Sequence, residues 1–214
     1  MNRFLKRAWA EIDLDALEHN YNEIKKLAKG KDILAVVKAN AYGHDDKAVC
    51  LKLQELGVKY YGVSNLWEGE KLRCHGITGT ILTFGYTDED YFDELLEYGI
   101  TQTAGSVQYA KQLSDYAVSK GVKLPVHIKV NTGMTRVGID SQQEMLDILA
   151  MPGLDCKAAY THFAAADSLD PSDVEYTDRQ QEKLMKIAKD KGLLIHSQNS
   201  GGIIYHGDFG GDIV

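Results

Sequence analysis

The chain has 214 residues, enough for one large domain with a sizeable core or for two small ones. A composition of 44% hydrophobic and 26% charged residues, with 3 prolines and no biased tract, excludes a fibrous or largely disordered chain. The net charge of -7, from 31 acidic against 24 dispersed basic residues, argues against nucleic acid or an anionic membrane as the main partner.

The start, MNRFLKRAWAEID, has no apolar stretch suited to a signal peptide, and no apolar run approaches the roughly 20 residues of a membrane span. The expectation is a cytoplasmic protein without membrane contact. Cys50, Cys74 and Cys156 are odd in number and lack a CxxC spacing, and the histidines form no HxH or HxxxH pair. Neither a disulfide framework nor a metal centre is expected, so hard chemistry falls to an organic cofactor.

In chain order, Ala8–Leu14 alternates apolar and acidic residues like a half-exposed strand that precedes the main domain and pairs outside it. Leu17, Tyr21, Ile24 and Leu27/Ala28 then make one helical apolar face, opened by an Asp15-x-x-Glu18 pair that resembles a capping box. From there a unit recurs: a short apolar run, a polar loop, a helical pattern and a glycine. The runs are Ile33–Val37, Tyr60–Val63, Thr80–Phe84, Ile100–Thr103, Val126–Val130, Ala158–Thr161 and Leu193–Ser197. Gly57, Gly99, Gly121 and Gly192 fall where a helix should stop, and Ser141-x-x-Glu144 is a capping-box pattern before Met145, Ile148 and Leu149. Seven strands alternating with helices imply a parallel sheet, either doubly wound or closed as a (β/α)₈ TIM-like barrel. Asp212-Ile213-Val214 reads as an eighth strand cut off at its start, which favours the barrel and an incomplete chain.

The active site of such a barrel lies at the C-terminal ends of the strands. After the first run comes Lys38, either a desolvated amine poised to attack an aldehyde or a lysine whose stem lines the rim while its head reaches water. Tyr42 could turn a phenol to a ligand phosphate or cap the rim. In Pro125–Asn131 the alternation puts His127, Lys129 and Asn131 on one face, and Arg136 returns on a turn bracketed by Gly133 and Gly138. Two converging cations demand a compensating anion from a ligand, a cofactor or a modified side chain. His162, in Tyr160–Asp167, could stack on a planar group, hydrogen-bond or titrate. Ser200 opens a Ser-Gly-Gly turn after the seventh run, where barrel phosphate sites commonly form. A nucleophilic lysine, a phosphate cradle, a planar-group neighbour and an arginine together suit pyridoxal phosphate, which acts as the electron sink for a carbanion.

The segments AVVKANAYGH, KVNTGMTRVG, THFAAAD and HSQNS, with EIDLDAL near the start, resemble the alanine racemase family, including the serine/alanine racemase modules of vancomycin-resistance systems. The resemblance covers essentially the whole chain. It implies a fold-type III pyridoxal 5'-phosphate enzyme, an isomerase interconverting L- and D-alanine for the cell wall and working as a homodimer. By the same resemblance Lys38 is the Schiff-base lysine and the base for the α-proton of the D-enantiomer, Tyr42 and Ser200 are phosphate ligands, and Arg136 meets the cofactor phenolic oxygen and the substrate carboxylate. Lys129 matches a lysine often carbamylated, and His162 and Asn199 are neighbours of the cofactor ring. Asn131 stands where most members have aspartate, removing a negative charge near Lys129.

The family continues with an arginine facing the pyridine nitrogen and a mostly β second domain whose tyrosine supplies the second base across the dimer. Residues 1–14 are therefore expected to belong with that second domain, and residues 15–214 to form the cofactor-binding barrel, inactive alone. The alternatives are serine as substrate, a fold-related decarboxylase, and a non-catalytic pyridoxal phosphate homeostasis barrel. AYGH after Lys38 and the KVNTGMTRVG turn speak against the decarboxylase.

Overall fold

Strand and helix alternate from residue 34 onward in a computed structural model that describes residues 8–214. Strands β1 (Leu34–Val36), β2 (Tyr60–Val63), β3 (Thr80–Thr83), β4 (Thr101–Ala104), β5 (Leu124–Lys129), β6 (Leu154–Tyr160) and β7 (Leu194–His196) form one parallel sheet. Each strand pairs with the next in sequence. The apolar runs of β2 and β3 follow from burial on both faces, three of the four residues of each being buried, whereas fully buried β4 is Thr-Gln-Thr-Ala.

The helices are α1 (Leu14–Leu27), α2 (Lys38–Gly43), α3 (Asp46–Glu55), α4 (Leu66–Cys74), α5 (Phe92–Glu97), α6 (Val107–Ser119), α7 (Gln142–Leu149), α8 (Pro171–Ala188) and α9 (Ser200–Tyr205). Helix α6 illustrates the packing: Tyr109, Ala110, Leu113 and Ala117 are buried at three- and four-residue spacing. Burying Leu113 fully is worth about 1.5–3 kcal/mol.

The expected helix signals are met with one correction. Ser141 and Glu144 form the capping box of α7, and Gly57, Gly99, Gly121 and Gly192 all have positive φ. The cap of α1, however, is Asp13, whose carboxylate accepts from the amides of Asp15 and Ala16, so Asp15 is already inside the first turn. Of the Leu27/Ala28 pair, Ala28, the C-cap of α1, is the buried member, and Leu27 stays half exposed.

Strand β6 starts four residues before the expected Ala158. Pairing shifts between Val126 and His127, leaving Lys157 as the extra residue of a bulge that ion-pairs outward with Asp155 at 2.7 Å. Those charges hide the strand from an apolar-run reading.

Ala8–Asp13 takes no regular structure, and Leu14 already belongs to α1, so the leading strand expected over Ala8–Leu14 is not formed here. An isolated strand has no ladder to hold it, and the backbone of this segment finds none among the described residues. The part of the expected leading segment over residues 1–7 lies outside the described residues.

At the other end, Ile213 bridges His196 on one side and Asp32 on the other. The Leu34 amide donates to Val214 O at 2.7 Å and the Val214 amide to Asp32 O at 2.9 Å. The last three residues thus lie between the two edge strands, and the sheet curls into a TIM-like α/β fold. No helix among the described residues is long and apolar enough to cross a membrane.

Candidate active site

Lys38 follows β1 on an unusual piece of backbone. Ala39, Asn40, Ala41 and Tyr42 all have left-handed dihedrals, with φ of 51 to 58° and ψ of 35 to 49°. Each such residue costs roughly 1–2 kcal/mol, so the turn persists only because its surroundings hold it. The Ala39 amide donates to Glu68 Oε1 at 2.8 Å, the Asp46 amide to Asn40 Oδ1 at 3.1 Å, and the Ala41 amide to Val37 O at 2.9 Å.

Glu68 also accepts from the Ser64 amide and hydroxyl at 2.8 and 2.7 Å. Burial pushes the Glu68 carboxyl up, but the Ser64 and Ala39 donors and the nearby Lys38 charge outweigh it and hold the carboxyl below its ordinary value. The turn leaves Lys38 Nζ 5.9 Å from the centre of the Tyr42 ring.

Across the mouth, β4, β5, β6 and β7 enclose a buried polar column. His127 is 1% exposed and shares a 3.1 Å hydrogen bond, Nδ1 to Nε2, with buried His196. His196 stacks on Tyr160 with ring centres 4.7 Å apart, and the Tyr160 hydroxyl meets Thr103 Oγ1 at 2.8 Å. Burial pushes His127 down to about 4, and burial followed by the charges of its neighbours takes His196 well below its ordinary value. Both imidazoles are therefore neutral at pH 7.

Lys129, 9% exposed, has no hydrogen-bond partner for Nζ, which lies 4.8 Å from the centre of the Tyr160 ring. Burial and then the positive charge of Arg136 push its amine down to about 7. His162 is lowered as well, by burial first and then by Lys129, Arg136 and Lys38.

The alternation expected along this strand ends at Lys129. Asn131 lies past β5, and its side chain is spent on the loop that carries exposed Arg136. Oδ1 accepts from the amides of Gly133 and Thr135 at 3.2 and 3.0 Å, and Nδ2 donates to Asp140 at 3.1 Å. The carboxylate that Asn131 lacks is thus supplied to the loop by Asp140, which also takes Lys183 at 3.1 Å. Gly133, at φ 144°, has no room for a side chain: a Cβ would come within 2.3 Å of Tyr176 Oη.

Beyond β7, Asn199 caps α9 by accepting from the Gly202 amide at 2.9 Å, which presents Ser200 at the helix start. One cavity of about 1170 Å³ joins Lys38, Tyr42, Lys129 and Arg136 to His162, Asn199 and Ser200. All seven residues singled out in the sequence are thus brought together.

The carboxylates lining that cavity, Glu11 and Asp13, sit on the exposed leading segment, so Lys38, Arg136 and the Lys129 amine face a ligand-sized space that favours an anion. An unpartnered buried amine, a half-buried lysine, an arginine, and the Tyr42 and Ser200 hydroxyls form a donor set that fits a phosphorylated, aldehyde-bearing planar group. Sequence reasoning missed Glu68, Tyr160 and Thr103, whose roles come only from contacts between strands. A left-handed turn does leave a trace, in the small residues and asparagine of Ala39–Gly43.

Comparison with known proteins agrees with this geometry. Residues 12–214 match the family model described as alanine racemase, N-terminal domain. The alanine racemase of Clostridium perfringens (strain SM101 / Type A) is 39% identical over 214 residues, covering 95% of this chain and 55% of that protein. That of Desulforamulus reducens is 38% identical over 207 residues, covering 92% and 55%. The solved alanine racemase of Clostridium difficile 630 superposes with a TM-score of 0.90 at 33% identity, over 99% of this chain and 57% of that one. A histidine racemase from Leuconostoc mesenteroides gives 0.86 at 27%, over 95% and 56%. The chain spans about half the length of the curated relatives it matches. A curled parallel sheet with Lys38, Arg136 and Ser200 gathered at one mouth, and a family match over nearly the whole chain, make this protein a member of the alanine racemase N-terminal domain family.

Proposed function

We propose that this chain is the cofactor-binding (β/α)₈ barrel of a fold-type III, pyridoxal phosphate-dependent amino-acid racemase that interconverts L- and D-alanine. Its place would be the cytoplasm, where a homodimer supplies D-alanine to the cell wall. The observation that carries this reading is the convergence of Lys38, Arg136 and the Asn199–Ser200 turn on one cavity, with the amine of Lys129 unpartnered beside them.

When bound, pyridoxal phosphate would supply an electron sink that makes the α-proton of an amino acid removable. Lys38 holds the cofactor through its amine and moves the proton at Cα of the D-enantiomer. Tyr42 and Ser200 hold the phosphate, and Arg136 binds the phenolic oxygen and the substrate carboxylate. His162 and Asn199 flank the ring. Lys129, with its amine pushed down to about 7 and no partner, has the free-base character that addition of carbon dioxide requires, and the carbamate formed with loss of a proton would set an anion near Arg136.

Racemisation needs bases on both faces of Cα, and Lys38 serves one. The second base and the substrate side-chain pocket belong to the portion of the relatives that this chain does not match, and the leading segment before α1 would belong with that portion. The 214-residue chain alone then shows little or no racemisation.

The test is incubation with pyridoxal phosphate, borohydride reduction and peptide mapping. Label is expected on Lys38, and label on another lysine sinks the assignment. L-to-D conversion of alanine by the chain alone, at the rate of its longer relatives, overturns the two-base reading. Serine and histidine are parallel substrates in that assay, since one structure with this fold is a histidine racemase.

A further inference from the structure

We propose that one face of α8, carrying Tyr176 and Gln180, is a clamp that fixes the Arg136 loop and the His162 loop relative to each other. Both would be positioning residues for whatever Arg136 and His162 bind, and in that respect the proposal rests on the reading of the cavity above.

Tyr176 and Gln180 are one helical turn apart, so they share a face of α8. Gln180 is 1% exposed and reaches both loops at once. Its Oε1 accepts from the Ala164 amide at 2.9 Å, and its Nε2 donates to Thr132 Oγ1 at 3.2 Å and to His162 O at 3.4 Å.

The proton order allows only this orientation. Thr161 Oγ1 donates to Val130 O at 2.9 Å, so in its 2.7 Å contact with Thr132 the proton belongs to Thr132. Thr132 then has only a lone pair left for Gln180, while the Ala164 amide can only donate. A flipped carboxamide would set donor against donor at Ala164 and acceptor against acceptor at Thr132. The chain Gln180, Thr132, Thr161, Val130 thus ties α8 through both loops to the end of β5.

Tyr176 adds a second hold. Its hydroxyl donates to Gly133 O at 3.0 Å, at the glycine where no side chain fits. Arg136 is three residues further on and has no anchor of its own among the described hydrogen bonds. Its loop is held instead from within by Asn131 and from outside by Tyr176 and Gln180. The geometry predicts that loss of the Gln180 links frees both loops, whereas loss of the Tyr176 bond frees the Arg136 loop alone.

Hydrogen–deuterium exchange of the ligand-free protein tests this without reference to catalysis. The telling amides are Gly133 and Thr135, which Asn131 binds and Gln180 does not touch. In Gln180→Met, which keeps the volume and loses the polar links, they should exchange roughly tenfold faster, together with Ala164, while β5 is unchanged. In Tyr176→Phe, which keeps the ring and the Gln180 links, Gly133 and Thr135 should quicken and Ala164 should not. Unchanged exchange at Gly133 and Thr135 in Tyr176→Phe overturns the clamp even if Gln180→Met fails to fold.

A second readout is pyridoxal phosphate affinity by absorbance, with Tyr176→Phe weakening it roughly fivefold while the melting temperature falls by only about 2–4 °C, the cost of one lost hydrogen bond. Failure to label Lys38 in the unaltered protein would remove the cofactor reading and leave the exchange result standing. Unaltered exchange with Lys38 labelled would remove the clamp alone.

Discussion

The cavity holds two lysines in opposite ways. Lys38 is half-buried on a strained left-handed turn, with the ionised Glu68 behind its backbone. Lys129 sits on a regular strand among Tyr160, His127 and His196, with no acceptor for its amine. On the first side the strain lies in the backbone and the polar groups are satisfied. On the second the backbone is relaxed and a side chain is left unpaired. A lysine's chemistry is therefore set by what surrounds it, and the two sides of one site can be broken separately.

The largest expected effect is at Lys38. Lys38→Ala should abolish borohydride-fixed pyridoxal phosphate, while Lys129→Met should leave the labelled position unchanged.

Stability should respond in the opposite sense. Lys129→Met removes an unpaired buried amine and is expected to stabilise the fold by about 1–4 kcal/mol at pH 7 in urea unfolding. Because the folded chain binds fewer protons than the unfolded one from about pH 7 to the ordinary lysine range, wild-type stability rises with pH across that window, and the gain from the mutation shrinks there. Lys38→Met should change stability by less than about 0.5 kcal/mol.

On the acid side, His127 is pushed from 6.5 down to about 4. The unfolded chain takes its proton first, so stability falls as pH drops from about 6.5 to 4, by on the order of 2–3 kcal/mol. Replacing the imidazole by an uncharged group in His127→Gln should reduce that slope and leave the share owed to His196.

Smaller effects test the turn. Glu68→Gln should cost about 1–2 kcal/mol by weakening the charge-assisted bonds to Ala39 and Ser64, and it should slow labelling of Lys38. Its loss should matter less at low pH. A carboxyl held below its ordinary value contributes stability above the ordinary carboxylate range and loses it as pH falls through the folded value. Ala39→Gly, at φ 52°, should cost nothing or gain a few tenths of a kcal/mol in thermal melts, whereas Ala117→Gly inside α6 should cost at least about 1 kcal/mol. A cost at Ala39 equal to that at Ala117 would mean that the turn is not strained.

Much of this was legible in the chain. Strands such as β2 and β3 stood out because burial on both faces favours apolar runs, and Ser141 with Glu144 marked the start of α7 because a helix needs local acceptors there. The first half of β6 was hidden because its bulge carries Asp155 and Lys157 outward. The cap of α1 was misplaced by two residues because Asp13 and Asp15 are equally good candidates until the backbone chooses one.

At the site, Lys38, Tyr42, Lys129, Arg136, His162 and Ser200 could be named because strand ends place them at one mouth and periodicity predicts strand ends, whereas Asn199 was named only through the family resemblance. Strand periods and loop spacings are local properties, and the sequence by itself determined them. Only the tertiary structure decided that Asn131 serves its own loop, that Glu68 holds a left-handed turn, and that the amine of Lys129 lacks a partner. The physical reason is that hydrogen-bond partners and desolvation depend on residues brought together from distant parts of the chain, and no local pattern records which ones meet.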